Sequence, residues 1–90
     1  MKSVATKRFW DCFAALPPDV QRLAENAYRL WRDNPRHTSL QFKRLHRSRE
    51  IFSVRIGLRY RALGVQRDDA VAWYWIGSHA EYDRLVARLR

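Results

Sequence analysis

Cysteine occurs once in this chain, at Cys12, which excludes an internal disulfide framework. The lone thiol is expected to pack as a small apolar group on a helix. Glycine and proline occur three times each, too rarely for a disordered or low-complexity segment. Lysine is scarce too, at positions 2, 7 and 43 only. No apolar run approaches the ~20 residues that span a bilayer. The opening MKSVATKRF carries no apolar segment of a secretory signal. A soluble, reducing, cytoplasmic setting without a membrane partner is therefore expected. His37, His46 and His79 fall in no paired spacing with the one cysteine, so no metal site is expected. A phosphate-binding loop, a Gly-rich dinucleotide motif and a Gly-x-Ser-x-Gly elbow are all missing, and no small-molecule cofactor is expected.

What the chain does have is hydrophobic mass and positive charge. Hydrophobic residues make up 47% of it, with four Trp, four Tyr and four Phe, enough for one modest core. Residues 1–90 read as a single domain. Eighteen Lys and Arg face nine Asp and Glu, a net charge of +9, and all but three of the cations are arginine. Arginine is suited to bidentate contact with phosphates and carboxylates. Such a surface points to nucleic acid or to an acidic protein partner. The alternative is a basic surface that only solvates the fold.

Helical patterning gives way to alternation near residue 40. In TKRFWDCFAALP, Phe9, Phe13 and Leu16 form one helical stripe. Pro17-Pro18 ends that helix and opens the next, in which Val20, Leu23, Ala24, Ala27, Leu30 and Trp31 share a face until Asn34-Pro35 stops it. The two are expected to form a hairpin. A short strand is expected at FKRLH. In EIFSVRIG, Phe52, Val54 and Ile56 alternate with Ile51, Ser53 and Arg55. RYRALGVQ and AVAWYWIG follow, joined by a polar turn at Gln66–Asp69. Strict alternation puts Val71, Trp73 and Trp75 on one face. Ser78 and Glu81 fit a capping box, so a last helix is expected with Tyr82, Leu85, Val86 and Leu89 on its apolar stripe. The fold class is thus α+β: an N-terminal helical hairpin on one face of a three- to four-stranded antiparallel sheet, with a C-terminal helix. All helices are expected on that one face.

The other sheet face then becomes the place for chemistry. Ser53, Arg55, Arg59 and Arg61 are expected to point outward, with Lys43 and Arg44 on the neighbouring strand, a cationic strip fit for a phosphodiester backbone. A polar, solvated sheet face is the competing account. On the last helix, His79, Tyr82 and Asp83 stand three and four residues apart and share a side. A helix start disfavours an imidazolium, and a neutral ring accepts a proton. His79 as base, Tyr82 as acid and arginines at the phosphate would supply a metal-free RNA-cleaving site. Against this, Tyr82 also lies on the apolar stripe, and Asp83 has Arg84 and Arg61 as ion-pair options. His37 and His46 read as loop or surface residues.

The element order and the segments LPPDVQRLAENAYRLWRDNP, SVRIGLRYRAL and WIGSHAEYDRL resemble the RelE/ParE superfamily of bacterial type II toxins, from about Thr6 to Leu89. The RelE branch cleaves mRNA in the ribosomal A site without metal. By resemblance, Arg55 stands where that branch has a strand lysine, Arg61 matches the arginine of its Tyr-Arg pair, and His79 and Tyr82 fall near its C-terminal arginine and tyrosine. The His, Tyr and Asp grouping is similar to HigB-like toxins. Ser53 replaces a second strand lysine, no basic run follows Tyr82, and only MKSVA stands where the family has its first strand. The resemblance implies a ribosome-associated mRNA endoribonuclease that inhibits translation. It places catalysis on Arg55, Arg61, His79 and Tyr82, and the reading of the strip and of the last helix adds RNA contact at Lys43, Arg44, Arg59 and Asp83, with Asp83 also orienting His79. It further implies a cognate antitoxin as partner. The ParE branch implies instead a gyrase inhibitor without nuclease activity, and an inactive module that binds antitoxin or RNA is the third possibility.

Overall fold

A computed structural model describes residues 2–46 and 49–88, with the side chains of 46 and 49 left out. The His46 side chain and Leu89, both assigned above, therefore lie outside the described residues. Two helices open the main body. Thr6 caps α1 (Lys7–Ala14), its hydroxyl accepting from Phe9 N at 3.2 Å. Pro17 and Pro18 sit at the start of α2 (Pro18–Asp33), where the missing N–H of proline has no helical partner to lose. Gln21 Nε2 reaches back to Phe13 O at 3.0 Å and ties the two helices together. Asn34 closes α2 by donating its N–H to Leu30 O at 2.7 Å. A 3-10 turn, Thr38–Leu40, leads into the sheet.

The sheet has five strands where three to four were expected. Strands β1 (Lys2–Ala5), β2 (Lys43–His46), β3 (Arg49–Ile56), β4 (Tyr60–Arg67) and β5 (Ala70–Ser78) lie in the order β1-β5-β4-β3-β2. Four of them pair antiparallel. The extra strand is β1, KSVA, which pairs parallel with β5 in the register Lys2 to Ala70 through Ala5 to Trp73. Four residues carry too little periodicity to be read as a strand, and their partner lies at the far end of the chain. Asp68, with φ 55, turns the tight β4–β5 hairpin.

Two cores form, one on each face of the sheet. The larger joins Ala24 and Trp31 of α2, half-buried Phe9 and Phe13 of α1, and Leu16 just beyond it to Val54, Ile56, Ala62, Val71, Trp73 and Ile76. Trp31 stands at its centre, edge-on to Trp73 (5.3 Å, 81°) and to Phe42 (5.8 Å, 77°). Its indole N–H and that of Trp73 are buried without a hydrogen-bond partner. Such T-shaped packing partly compensates them by turning positive ring edges toward π faces. The second core joins Ile51, Leu63 and Trp75 to Tyr82, with Leu85 and Val86 half-buried against it. The last helix, α3 (His79–Arg88), therefore covers the opposite face from the hairpin, not the shared face expected.

A bulge explains why simple alternation failed on β5. Leu63 pairs with Trp75 but Gly64 pairs with Trp73, so Tyr74 is an extra residue. Strand phase flips there. Val71 and Trp73 face α1 and α2, whereas Trp75 faces α3. No helix among the described residues is long and apolar enough to cross a membrane.

Candidate functional site

The junction between β5 and α3 is built locally. Ser78 and Glu81 form the capping box: Glu81 N donates to Ser78 Oγ (3.2 Å), and Ser78 N (3.2 Å) and Oγ (3.0 Å) donate to Glu81 Oε1. His79 N donates to Arg59 O at 2.7 Å, which fastens the helix start to the β3–β4 turn. Gly77 allows this tight passage. A Cβ there would stand 2.5 Å from Trp75 Cζ2 and 3.2 Å from Glu81 Oε1.

On this face β4 presents Arg61, directly across from Arg55 of β3 and Gly77 of β5. Arg61 was expected on an open cationic strip, yet only 7% of it is exposed. The reason is α3, whose Tyr82 ring lies 5.3 Å from the guanidinium carbon. Nη2 of Arg61 donates to Gln41 Oε1. Nε and Nη1 are buried with no partner, and no ion pair to Arg61 exists among the described residues. A guanidinium stays charged, so this is a buried cation one hydrogen bond deep. A phosphate or carboxylate offers two acceptor oxygens in the geometry that such a fork fits.

Above it, half-exposed His79 holds Asp83: Nδ1 to Oδ2 is 3.2 Å. An ionised carboxylate only accepts, so Nδ1 is the donor, and in the neutral ring Nε2 is then left as an acceptor. The His79 ring lies 5.6 Å from that of Tyr82. One tyrosine ring is thus the shared neighbour of the imidazole and the buried guanidinium.

The remaining expected residues divide. Tyr82 is 7% exposed, and its hydroxyl donates to Ser53 Oγ at 3.4 Å in the interior. Its hydroxyl is turned into the interior and its ring packs against the Arg61 guanidinium. Ser53, expected outward, is fully buried by the same helix. Arg55 is half-buried and its Nε donates to Gly57 O at 2.8 Å, which folds its guanidinium along the β3–β4 turn. Lys43 pairs with Ser53 on the α3 side of the sheet and is exposed. Arg44 falls on the other face, with its guanidinium 5.8 Å from the Phe52 ring and 3.9 Å from Glu50, apart from the group around Arg61. Arg59 is exposed in the turn. Asp83 pairs with His79, not with Arg84 or Arg61.

Gln41 was not foreseen. It takes a left-handed backbone, φ 46, which a side chain rarely adopts, and so ends the 3-10 turn with its amide on Arg61. Its partner lies twenty residues away, and no local motif marks it.

Comparison with known proteins places this fold among those of toxins. No curated protein sequence matches the chain significantly. Among solved structures it is similar to the YoeB/ParE toxin from Agrobacterium tumefaciens, at 16% identity and TM-score 0.69, over 88% of this chain and 99% of that one. It is similar to the isolated RelE toxin of E. coli, at 15% identity and TM-score 0.65, over 99% and 98% of the two chains. A chain of the RelBE2 toxin–antitoxin complex from Mycobacterium tuberculosis matches at 25% identity and TM-score 0.65, over 87% and 96%. The model of the ParE-like toxin domain matches residues 18–84, from the start of α2 into α3 and across the whole Arg61–His79 region, and the chain belongs to that family.

Proposed function

We propose that this protein is the toxin of a type II toxin–antitoxin system and a metal-independent endoribonuclease acting on mRNA at the ribosome. The observation that carries the proposal is Arg61, a buried guanidinium with two unpartnered donors, which shares the Tyr82 ring as neighbour with a carboxylate-paired imidazole. In this reading Arg61 binds the scissile phosphate and stabilises the charge that builds on it. His79 Nε2 takes the proton of the 2′-hydroxyl, and Asp83 steadies the imidazolium. The 2′-oxygen attacks phosphorus, the bond to the 5′-oxygen breaks, and water protonates the leaving oxygen. The products are a 2′,3′-cyclic phosphate and a 5′-hydroxyl. Arg55 shares the phosphate charge, Lys43 and Arg59 contact neighbouring phosphates, and Tyr82 holds Arg61 in place.

A cognate antitoxin completes the system. The RelBE2 neighbour is a toxin–antitoxin complex, and a net charge of +9 suits an acidic inhibitor as well as RNA.

The test is primer-extension mapping of mRNA ends after brief expression, with translation running or blocked. New 5′ ends that appear only with engaged ribosomes, and vanish in His79→Ala, are expected. The ParE-like family match favours one second reading, inhibition of DNA gyrase. Supercoiling defects with mRNA intact, unchanged by His79→Ala, would establish that reading instead.

A further inference from the structure

The β3–β4 turn carries a feature that the cleavage chemistry leaves unused. Leu58 stands at its tip, 80% exposed, between Arg55 and Arg59. Gly57, at φ 60, supplies the left-handed backbone that brings the tip round toward α2. A groove of about 370 Å³ opens there between the turn, α2 and the 3-10 turn. Leu30 and Leu40 line it as apolar surface, Leu58 forms one wall, and Asn26, Ser39 and Arg55 supply its polar groups.

These polar groups are oriented. Arg29 Nη2 holds Asn26 Oδ1 at 2.7 Å, which leaves the Asn26 amide N–H groups for another acceptor. His37 Nδ1 holds Ser39 Oγ at 2.8 Å. Arg55 is fixed to Gly57 O. An apolar slot with a side-chain amide, a hydroxyl and a guanidinium at its edge matches a nucleobase, whose faces stack on apolar groups and whose edge carries donors and acceptors. The same turn is bonded to the candidate base, through Arg59 O and His79 N. A base seated beside Leu58 is thereby indexed to the atom that would be deprotonated.

We infer that this groove binds one unstacked base of single-stranded RNA next to the scissile phosphate and sets the sequence preference of cleavage. The inference rests on the endoribonuclease reading. Its test is sequencing of cut ends from wild type, Leu58→Ala and Asn26→Ala, none of which alters Arg61, His79 or Asp83. Wild type should show a base preference at one position flanking the cut. Each variant should weaken that preference about tenfold, the scale of one lost base contact, while total cutting persists. Unchanged preference in both variants overturns the inference. Wild type that cuts nothing defeats the nuclease reading, and the groove is then judged by titrating 2′-O-methyl trinucleotides. About tenfold weaker binding to Leu58→Ala upholds the groove, and equal binding, as expected if it seats a protein side chain instead, overturns it.

Discussion

Replacing Arg61 by methionine should stabilise the fold while abolishing toxicity. Arg61→Met keeps the unbranched stem that Tyr82 covers and removes the charge. Two buried donors of the guanidinium lack partners, each costing about 1–3 kcal/mol of desolvation. Arg55 stands directly opposite, and a like-charged cross-strand pair costs up to about 1 kcal/mol more. The substitution forfeits the bond to Gln41, about 1.5–3 kcal/mol for a charged donor. It also forfeits the contact with the Tyr82 ring, about 1–2 kcal/mol. Gln41 is exposed, so water takes over its carbonyl at little cost. The gains exceed the losses by about 1 kcal/mol, in line with buried ionic groups replaced by apolar ones of similar volume. A Tm higher by about 4–8 °C follows for a domain of this size. Urea unfolding of both proteins measures the difference, and growth on induction reads the toxicity. Added inorganic phosphate should stabilise wild type, by about 1.4 kcal/mol at ten times its Kd, and leave Arg61→Met unmoved. A variant less stable than wild type by over about 1 kcal/mol, with no phosphate effect in either protein, would refute the reasoning. The guanidinium would then be satisfied within the fold and would not await an anion.

Other outcomes follow from the junction of β5 and α3. Gly77→Ala must drive a Cβ into the Trp75 ring, and overpacking of this kind should cost about 1–3 kcal/mol in urea unfolding. Ser78→Ala removes both hydroxyl bonds to Glu81 and should cost about 1 kcal/mol, seen as a Tm lower by about 4–8 °C. His79→Ala touches an exposed side chain, so Tm should hold while RNA cleavage falls about 10²–10⁴-fold. Asp83→Asn should also slow cleavage at unchanged Tm, because an amide does not hold the proton on Nδ1 as a carboxylate does.

The elements legible in the sequence were those with local causes. Proline at the start of α2, Asn34 at its end and the Ser78–Glu81 box each act within one helical turn, and each stands where expected. The inward set on β3 and β4 was legible for the same reason, since alternation is a property of neighbours. What failed depended on distance. The parallel partner of β1 is nearly seventy residues away. The bulge at Tyr74 leaves no mark in a run of Trp, Tyr and Ile, because each residue suits either face. The burial of Arg61 followed from that same miss, because an arginine predicted on an open face becomes interior once α3 is laid over it.

The bulge is also what makes the candidate site possible. With strict alternation Trp75 would join Val71 and Trp73 under the hairpin, and the far face would lose the large side chain that packs beside Tyr82. Shifted by one residue, Trp75 gives α3 an apolar seat on that face and covers Gly77 with its ring. Tyr82 then descends beside it to Ser53, and the first turn of α3 is fixed above β4 by its bond to Arg59 O. The helix that buries the Arg61 guanidinium is therefore the helix that carries His79 and Asp83. Burial raises the strength of an arginine toward an anion by excluding water, and here the covering element brings the proposed proton acceptor with it. Loss of α3 packing should weaken both functions at once. An exposed arginine strip would hold RNA more loosely and would leave His79 without a fixed relation to the phosphate.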